Sequence, residues 1–415
     1  VSIHVRPALG DEFGEFLRTG SQAFGHRPTE QAVAGARHAF EPDRSLAAFD
    51  GDTMVATAGA FSFELTLPGL TRVPVAAVSY VAVIPPYRRR GILSALMEAQ
   101  VDEVHQRGEP LAVLLASEAG IYGRFGYGVA TLGAAHQIDR ASARLARDVP
   151  IGDVRLVEID EAAKILPDLY DRARRHQVGE LSRTAGWWAT HLASPAPAEM
   201  PELSELPGNR FFAVHSSGGA DDGYASYRVE QAWAGPLPNH AVIVDELVGL
   251  DGEVEGALFS YVLDLDLTAT IRLERRPVVD PLRWLLADGR RLGIVYASDW
   301  LWVRPVDVAA ALAARRYRVE DRLVIKLSDQ LCSWNDGAWL IEGGPDGATC
   351  KPAAEQAASS DLTMGPAELG ALMLGGVAAS TLARAHLVDE GSPGALGRAD
   401  LFFGTEPSPL CTTEF

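Results

Sequence analysis

The chain of 415 residues is poor in cysteine, short of positive charge and without a long apolar run, and each shortage removes a class of protein. Its three cysteines, Cys332, Cys350 and Cys411, form no C-x-x-C pair, and an odd count does not build a disulfide framework, which fits a reducing cytoplasm. Basic residues number 37 against 55 acidic ones, a net charge of −18 that repels nucleic acid and anionic membranes and attracts polycations. No apolar stretch approaches the ~20 residues of a membrane span. The opening VSIHVRPALGDEF lacks a basic-then-apolar signal pattern, so a cytoplasmic location is expected, with secretion by another route left open. The ten histidines are scattered, with no H-E-x-x-H and no His/Cys pair at metal spacing, so no metal site is expected.

What is present is organisation. The length suggests two to four domains, and a 47% hydrophobic content supplies real cores. IHVRPALGDEFGEFLRTGSQAF begins as a strand, Ile3 to Arg6, and continues as a helix. VRLVEIDEAAKILPDLYDRARRH repeats this opening about 150 residues later, with Ala162, Ile165, Leu166 and Leu169 on one helical face. Hairpin-like strands follow in both, then strand–helix–strand: AVSYVAV, ILSALMEAQVDEVHQ and PLAVLLA in one, AVIVDELVGL, EVEGALFSYVLDL and TATIRLER in the other. Leu93, Leu96, Met97, Val101 and Val104 form one apolar stripe, and Gly108 supplies a helix stop. SPAPAEMPELSELPG (194–208) reads as a long surface loop. After about residue 305 a helix, short meander strands and a further strand–helix pair indicate a smaller α+β unit. The expected divisions are 1–148, 149–304 and 305–415, all of mixed α/β character.

One stretch, VAVIPPYRRRGILSALMEAQ (81–100), runs against the acidic background: Arg88, Arg89 and Arg90 gather where a helix begins. A helix start already carries unpaired N–H groups and partial positive charge, so cations there cost a few tenths to ~1 kcal/mol unless an anion offsets them. A guanidinium–phosphate hydrogen bond returns ~1.5–3 kcal/mol. A phosphate-bearing ligand is therefore expected, with Gly91 letting the backbone approach it; the alternative is a solvated basic patch. Neither G-x-x-x-x-G-K-[ST] nor G-x-G-x-x-G occurs there.

The segment V-A-V-x-P-x-x-R-R-R-G-I-L resembles the acetyl-CoA signature of the GNAT N-acetyltransferases, a strand, Arg/Gln-x-x-Gly-x-Gly/Ala, then a helix. Arg88 and Gly91 match it; Leu93 departs where the family has a small residue. Downstream, LAVLLAS followed by IYGRFGYG resembles the family's tyrosine-x-x-x-Gly-aromatic element. RRRGIL, ASEAGIYGRFGYG and a Glu-Phe ending together look like the Eis (enhanced intracellular survival) acetyltransferases of actinobacteria. That resemblance implies tandem GNAT domains, the second degenerate, then a sterol-carrier-protein-like domain, and a homohexamer. VDELVGLDGEVEG replaces the arginine loop in the second unit, and acidic residues there would repel pyrophosphate, so one active site per chain is expected.

The resemblance also implies a mechanism. The pantetheine arm of acetyl-CoA would pair with the edge Val81–Ala82–Val83, with the Val83 N–H polarising the thioester carbonyl. Arg88, Arg89, Gly91, Ile92 and Leu93 would hold the pyrophosphate, and Ser117 would bond the cofactor near sulfur. Tyr122 matches the general acid, with Tyr127 a competitor: a phenol near pKa ~10 can protonate a thiolate whose parent thiol lies near ~8.5. The terminal carboxylate at Phe415 matches the base, and burial among apolar groups would raise its pKa. Phe24, Tyr80 and Glu414 are the expected acceptor contacts, for amines of polycationic molecules such as aminoglycosides. A protein lysine as acceptor, or a non-catalytic lipid carrier using the last unit, are the alternatives.

Overall fold

The computed structural model describes residues 3–193 and 210–415, so the 194–208 loop expected from the sequence lies outside the described residues. In chain order the first part runs β1 (Ile3–Pro7), α1 (Phe13–Ala23), α2 (Glu30–Ala36), β2 (Ser45–Asp50), β3 (Thr53–Thr66), β4 (Arg72–Val83), α3 (Ile92–Gln106), β5 (Leu111–Leu115), α4 (Ala119–Tyr122), β6 (Gly128–Val129) and β7 (Leu132–Asp139). Then come β8 (Asp153–Val157), α5 (Ile159–Arg174), α6 (Ala185–Ala193), β9 (Arg210–Ser217), β10 (Ala220–Glu230), the ribbon β11 (Trp233–Ala234) and β12 (Leu237–Pro238), β13 (His240–Gly249), α7 (Gly252–Leu263), β14 (Thr268–Arg276), β15 (Gly293–Asp299) and β16 (Leu301–Pro305).

The repeat seen in the sequence is a repeat of topology. One sheet has the order β1-β2-β3-β4-β5-β16-β6 and the other, read from its far edge, β8-β9-β10-β13-β14-β7-β15. In each, the third and fourth strands are antiparallel and the fourth and fifth parallel, the parallel pair connected by a helix on the sheet.

The sixth strands are exchanged. β7, which follows the first unit in sequence, enters the second sheet between β14 and β15, and β16 enters the first between β5 and β6. A division at 148/149 therefore does not separate the sheets: 132–139 belongs with the second and 301–305 with the first. Sequence periodicity defines a strand but carries no information on which sheet edge accepts it.

The α3 stripe behaves as its spacing requires. Leu96, Met97, Val101 and Val104 are buried, Leu93 is half-buried, and Gly108 takes φ 72° just past the helix end. On α5, Ala162, Leu166 and Leu169 are buried in the main core with Ile165 packed against it.

The third unit contains α8 (Val308–Ala314), β17 (Asp321–Leu327), β18 (Gly337–Gly344), β19 (Gly347–Pro352), β20 (Leu362–Met364), α9 (Pro366–Leu372), α10 (Ala379–Arg384), β21 (Asp389–Glu390) and α11 (Ala395–Phe403), with sheet order β19-β18-β17-β20-β21. It seals the β16–β6 side of the first sheet at backbone contact. A Cβ on Gly128 would lie 1.7 Å from the Ala367 carbonyl oxygen, and one on Gly370 2.0 Å from that of Val303. Arg304, fully buried, pairs with Asp329 at 3.0 Å across the same junction.

Candidate active site

The site begins with a strand that loses its neighbour. β4 pairs with β5 only from Val75–Leu111 to Val78–Leu114; β4 then continues to Val83 with nothing on that side. The cause is visible on the other edge, where the β3–β4 register shifts by one residue between Thr57–Ala82 and Gly59–Ser79. Tyr80 sits in this bulge at φ 56°, its carbonyl accepting from Thr57 Oγ1 at 2.7 Å. A bulge bends its strand, and here the bend opens a notch whose wall is Ser79–Val83. The expected edge Val81–Ala82–Val83 is thus an unpaired one.

At the end of this edge stands the open end of α3. Gly91 caps the helix with φ 80°, and the first intrahelical bond is donated by Ala95 to the Gly91 carbonyl at 3.1 Å. The amides before it are the orphan donors of a helix start, and a Cβ on Gly91 would meet nothing within 4 Å. Arg89 also takes positive φ, 62°, an uncommon conformation for arginine that tightens the turn. This cradle fits a diphosphate.

The three arginines divide their work. Arg88 departs from the role expected of its side chain: Nε donates to the Val83 carbonyl at 3.1 Å and Nη2 to the Ala23 carbonyl at 2.8 Å. It ties the end of β4 to the end of α1. Arg89 and Arg90 are exposed, and Arg90 stacks over Tyr87 at 5.0 Å, itself fixed by Asp50 at 2.8 Å. Ile92 is buried and Leu93 half-buried, so at the helix start they present backbone rather than side chain.

Across the notch, Tyr122 closes α4 and is almost fully buried, in the cluster that holds Val78, Met97 and, at its margin, Val81 and Leu93. Burial, and then the Glu118 carboxylate, raise its pKa above that of a free phenol; a hydrogen bond with exposed Ser117 acts the other way. Tyr127, 6.2 Å away ring to ring, is wholly enclosed, its hydroxyl has no partner, and burial pushes its pKa far up. Of the two phenols, Tyr122 is the one that retains exposure.

On the side expected for the acceptor lies a row of rings. Phe16 meets Tyr80 edge-on at 5.7 Å, Tyr80 meets Phe61 at 5.7 Å, Phe61 stacks on Phe63 at 5.6 Å, and Phe63 meets Phe415 edge-on at 5.9 Å. Burial among these rings pushes the Tyr80 pKa up to about 12, so its hydroxyl stays neutral. Through Phe63 and Phe61 of β3 the row links the last residue to Tyr80 in the β4 bulge. Phe24, 58% exposed, stands beside Ala23 and so beside the Arg88 clamp rather than in the row. Glu414 is exposed and ion-paired to Arg275 at 3.1 Å.

Sequence reasoning missed the other wall. A 430 Å³ cavity runs from Leu115, Ala116 and Ser117 at the end of β5 to Arg275, Tyr296, Asp299, Trp300 and Cys411. Arg275 reaches it from a bulge in β14, at φ 50°. These residues lie far along the chain from both motifs. The strand exchange brings them there, and no local signal marks them.

The second sheet has the same notch without a cradle. Beyond Val244–Leu273, β13 is unpaired on the β14 side after a one-residue bulge. The α7 start, however, is filled by its own Asp251, whose carboxylate accepts from the Glu253 and Val254 amides at 2.9 and 3.0 Å. Two of the amides that an anion would use are thereby taken.

Comparison with known proteins agrees with this layout. Models of the acetyltransferase (GNAT) domain match residues 4–130 and 179–305, and a sterol carrier protein domain model matches 308–412. The chain is 38% identical over 376 residues to an uncharacterised N-acetyltransferase of Streptomyces coelicolor, covering 88% of each. It is 34% identical over 373 residues to the N-acetyltransferase Eis of Mycobacterium tuberculosis, covering 88% of this chain and 87% of the relative. The structure of Eis1 from Mycobacterium abscessus superposes with a TM-score of 0.86 at 32% identity, covering 100% of both chains.

Proposed function

The chain belongs to the Eis-type GNAT N-acetyltransferases, and on that premise we propose that it transfers acetyl from acetyl-CoA directly to amines of polycationic small molecules such as aminoglycosides. The carrying observation is the unpaired edge Ser79–Val83 ending at the open amides of α3, with Tyr122 across from it. Acetyl-CoA supplies the activated thioester. The Val81–Val83 edge receives its arm as an added strand, and the amides after Tyr87, with Arg89 and Arg90, take its diphosphate. Arg88 serves the same loop by clamping Val83 and Ala23.

In the transfer a C–N bond forms and the C–S bond breaks. Tyr122 gives its proton to sulfur, and the Phe415 α-carboxylate takes the proton of the attacking amine. Seating of Phe415 against Phe63 supports that second role. Polycationic acceptors are supported by the net charge of −18, by Asp299 in the cavity lining and by Glu414, paired to the cavity residue Arg275. Phe24 and Tyr80 contribute apolar surface, and the family resemblance extends the proposal to a homohexamer.

The test is release of CoA thiol from acetyl-CoA, alone and with kanamycin, spermidine or a lysine-containing peptide. Amine-dependent release is expected, fastest with kanamycin. Fastest release with the peptide would move the acceptor to protein lysines. No release above the amine-free rate with any of the three would overturn the proposal.

A further inference from the structure

The second sheet's notch is met by the chain itself, Arg275 and Arg276 donating to the Asp245 and Leu247 carbonyls at 3.4 and 3.2 Å. Glu246 lies on β13 just past the bulge, two residues beyond the last parallel pair at Val244, as Tyr80 is two beyond Val78 on β4. It pairs with Arg183 at 2.5 Å, and the Arg183 side chain is wholly buried. The guanidinium is walled by the rings of Tyr170 at 3.6 Å, Trp187 at 4.3 Å and Trp188 at 5.1 Å. Its Nε donates to Thr413 Oγ1 at 3.0 Å.

Tyr170, Trp187 and the neighbouring Glu180 also reach the last residues. The Tyr170 hydroxyl lies 2.8 Å from Thr413 Oγ1. Glu180 Oε1 accepts from the Thr412 amide at 3.0 Å, and Trp187 Nε1 donates to the Glu414 carbonyl at 2.8 Å. The Leu410 amide donates to the Val178 carbonyl at 2.9 Å, over a glycine, Gly179, on which a Cβ would stand 2.8 Å from the Leu410 oxygen.

The box is in turn anchored to β3. The Thr66 amide donates to the Glu180 carbonyl at 3.0 Å, the Gly179 amide to the Thr66 carbonyl at 2.9 Å, and the Ser182 amide to the Glu64 carbonyl at 2.8 Å. β3 is the strand whose Phe61 and Phe63 form the ring row. The frame that fixes 410–415 is therefore hydrogen-bonded to the strand against which Phe415 must register.

We propose that Arg183 is a positioning residue for acetyl transfer: in the unit without a cofactor cradle, the Arg183–Glu246 box holds residues 412–414 and so sets Phe415 against Phe63. The inference rests on the reading of Phe415 as part of the site. A buried ion pair is weak ground for stability and better ground for fixing one geometry, and here Arg183, Tyr170, Glu180 and Trp187 each bond to the segment to be fixed. Chain ends otherwise fray.

The experiment is a double-mutant cycle in the full-length chain. Arg183→Lys keeps a buried charge opposite Glu246 but loses the fork that reaches Thr413, and Trp187→Phe keeps a ring under the guanidinium but loses the bond to Glu414. Each is expected to lower kcat about tenfold, the loss of one hydrogen bond in a buried setting, with the acetyl-CoA KM unchanged. In a chain shortened by Glu414 and Phe415, neither should lower kcat further. Equal losses in both backgrounds would show a merely structural role and overturn the inference while leaving the transferase reading standing. Full activity of the shortened chain would remove Phe415 from the mechanism and the inference with it. Absence of any amine-dependent turnover in the parent protein would sink the transferase reading itself. If Arg183→Lys does not fold, Trp187→Phe decides, since it leaves the Arg183–Glu246 pair itself in place.

Discussion

Replacing Tyr122 by Phe removes one buried hydroxyl and nothing else. The ring keeps its place in the cluster with Val78, Met97 and Tyr127, so the stability change should stay within ~1 kcal/mol, the scale of one hydrogen bond. Catalysis should suffer more. A positioned general acid contributes about 10²–10⁴-fold, and a thiolate with a parent pKa near ~8.5 is a fair leaving group, so the lower end applies: kcat down ~10²-fold, or ~2.7 kcal/mol of barrier. The KM for acetyl-CoA should change by less than about threefold, because the cradle is untouched. The pH dependence adds a second readout. Burial, and then Glu118, raise the Tyr122 pKa, and an acid works while protonated, so activity should fall only as pH rises through a value above that of a free phenol. That alkaline limb should vanish in the variant. Thiol release in single-turnover mode measures both. A kcat within about threefold of the parent, with the limb intact, would refute the assignment.

Gly91→Ala forces a Cβ onto φ 80° with open space around it; about 1–2 kcal/mol of strain is expected, with weaker CoA binding by calorimetry as the cradle relaxes, and an unchanged Kd would show that the cradle does not need this turn. Gly128→Ala places a methyl 1.7 Å from the Ala367 carbonyl oxygen, so the third unit should part from the first sheet at a cost of about 3 kcal/mol, read as a lower urea midpoint; a neutral result would contradict the junction. The Arg183 box should be labile in acid. Burial holds the His191 pKa down at about 4, against an ordinary 6.5, so the unfolded chain takes up a proton that the fold refuses, and stability is lost as pH falls from 6.5 towards 4. Arg183 holds Glu246 at about 2 against burial, so a second loss runs from about 4.5 downward, with the same sign. Urea midpoints against pH should show both, and His191→Phe should abolish the upper one.

Much of this was legible in the sequence because it is local. The α3 stripe, the arginine loop, the Gly91 turn and the tyrosine–glycine element are each set by residues within a few turns of one another, and each is found in its expected element. The expectation of one cofactor site per chain rests on a stretch that is local too, where Asp251 caps its own helix start.

The rest depends on which strand docks beside which, and hydrophobic alternation cannot say. The exchange of β7 and β16 puts Arg275 and Trp300 on the cavity that begins at Ser117, more than 150 residues away in the chain. The seat of Phe415 is of the same kind. It is made by Phe63, Trp187 and the Arg183–Glu246 pair from three separate stretches, and their convergence exists only once both sheets have formed. The sequence by itself determined the chemistry at the strand–helix junction; the tertiary structure decided what faces it, because burial and long-range pairing, not local propensity, select the partners of an edge.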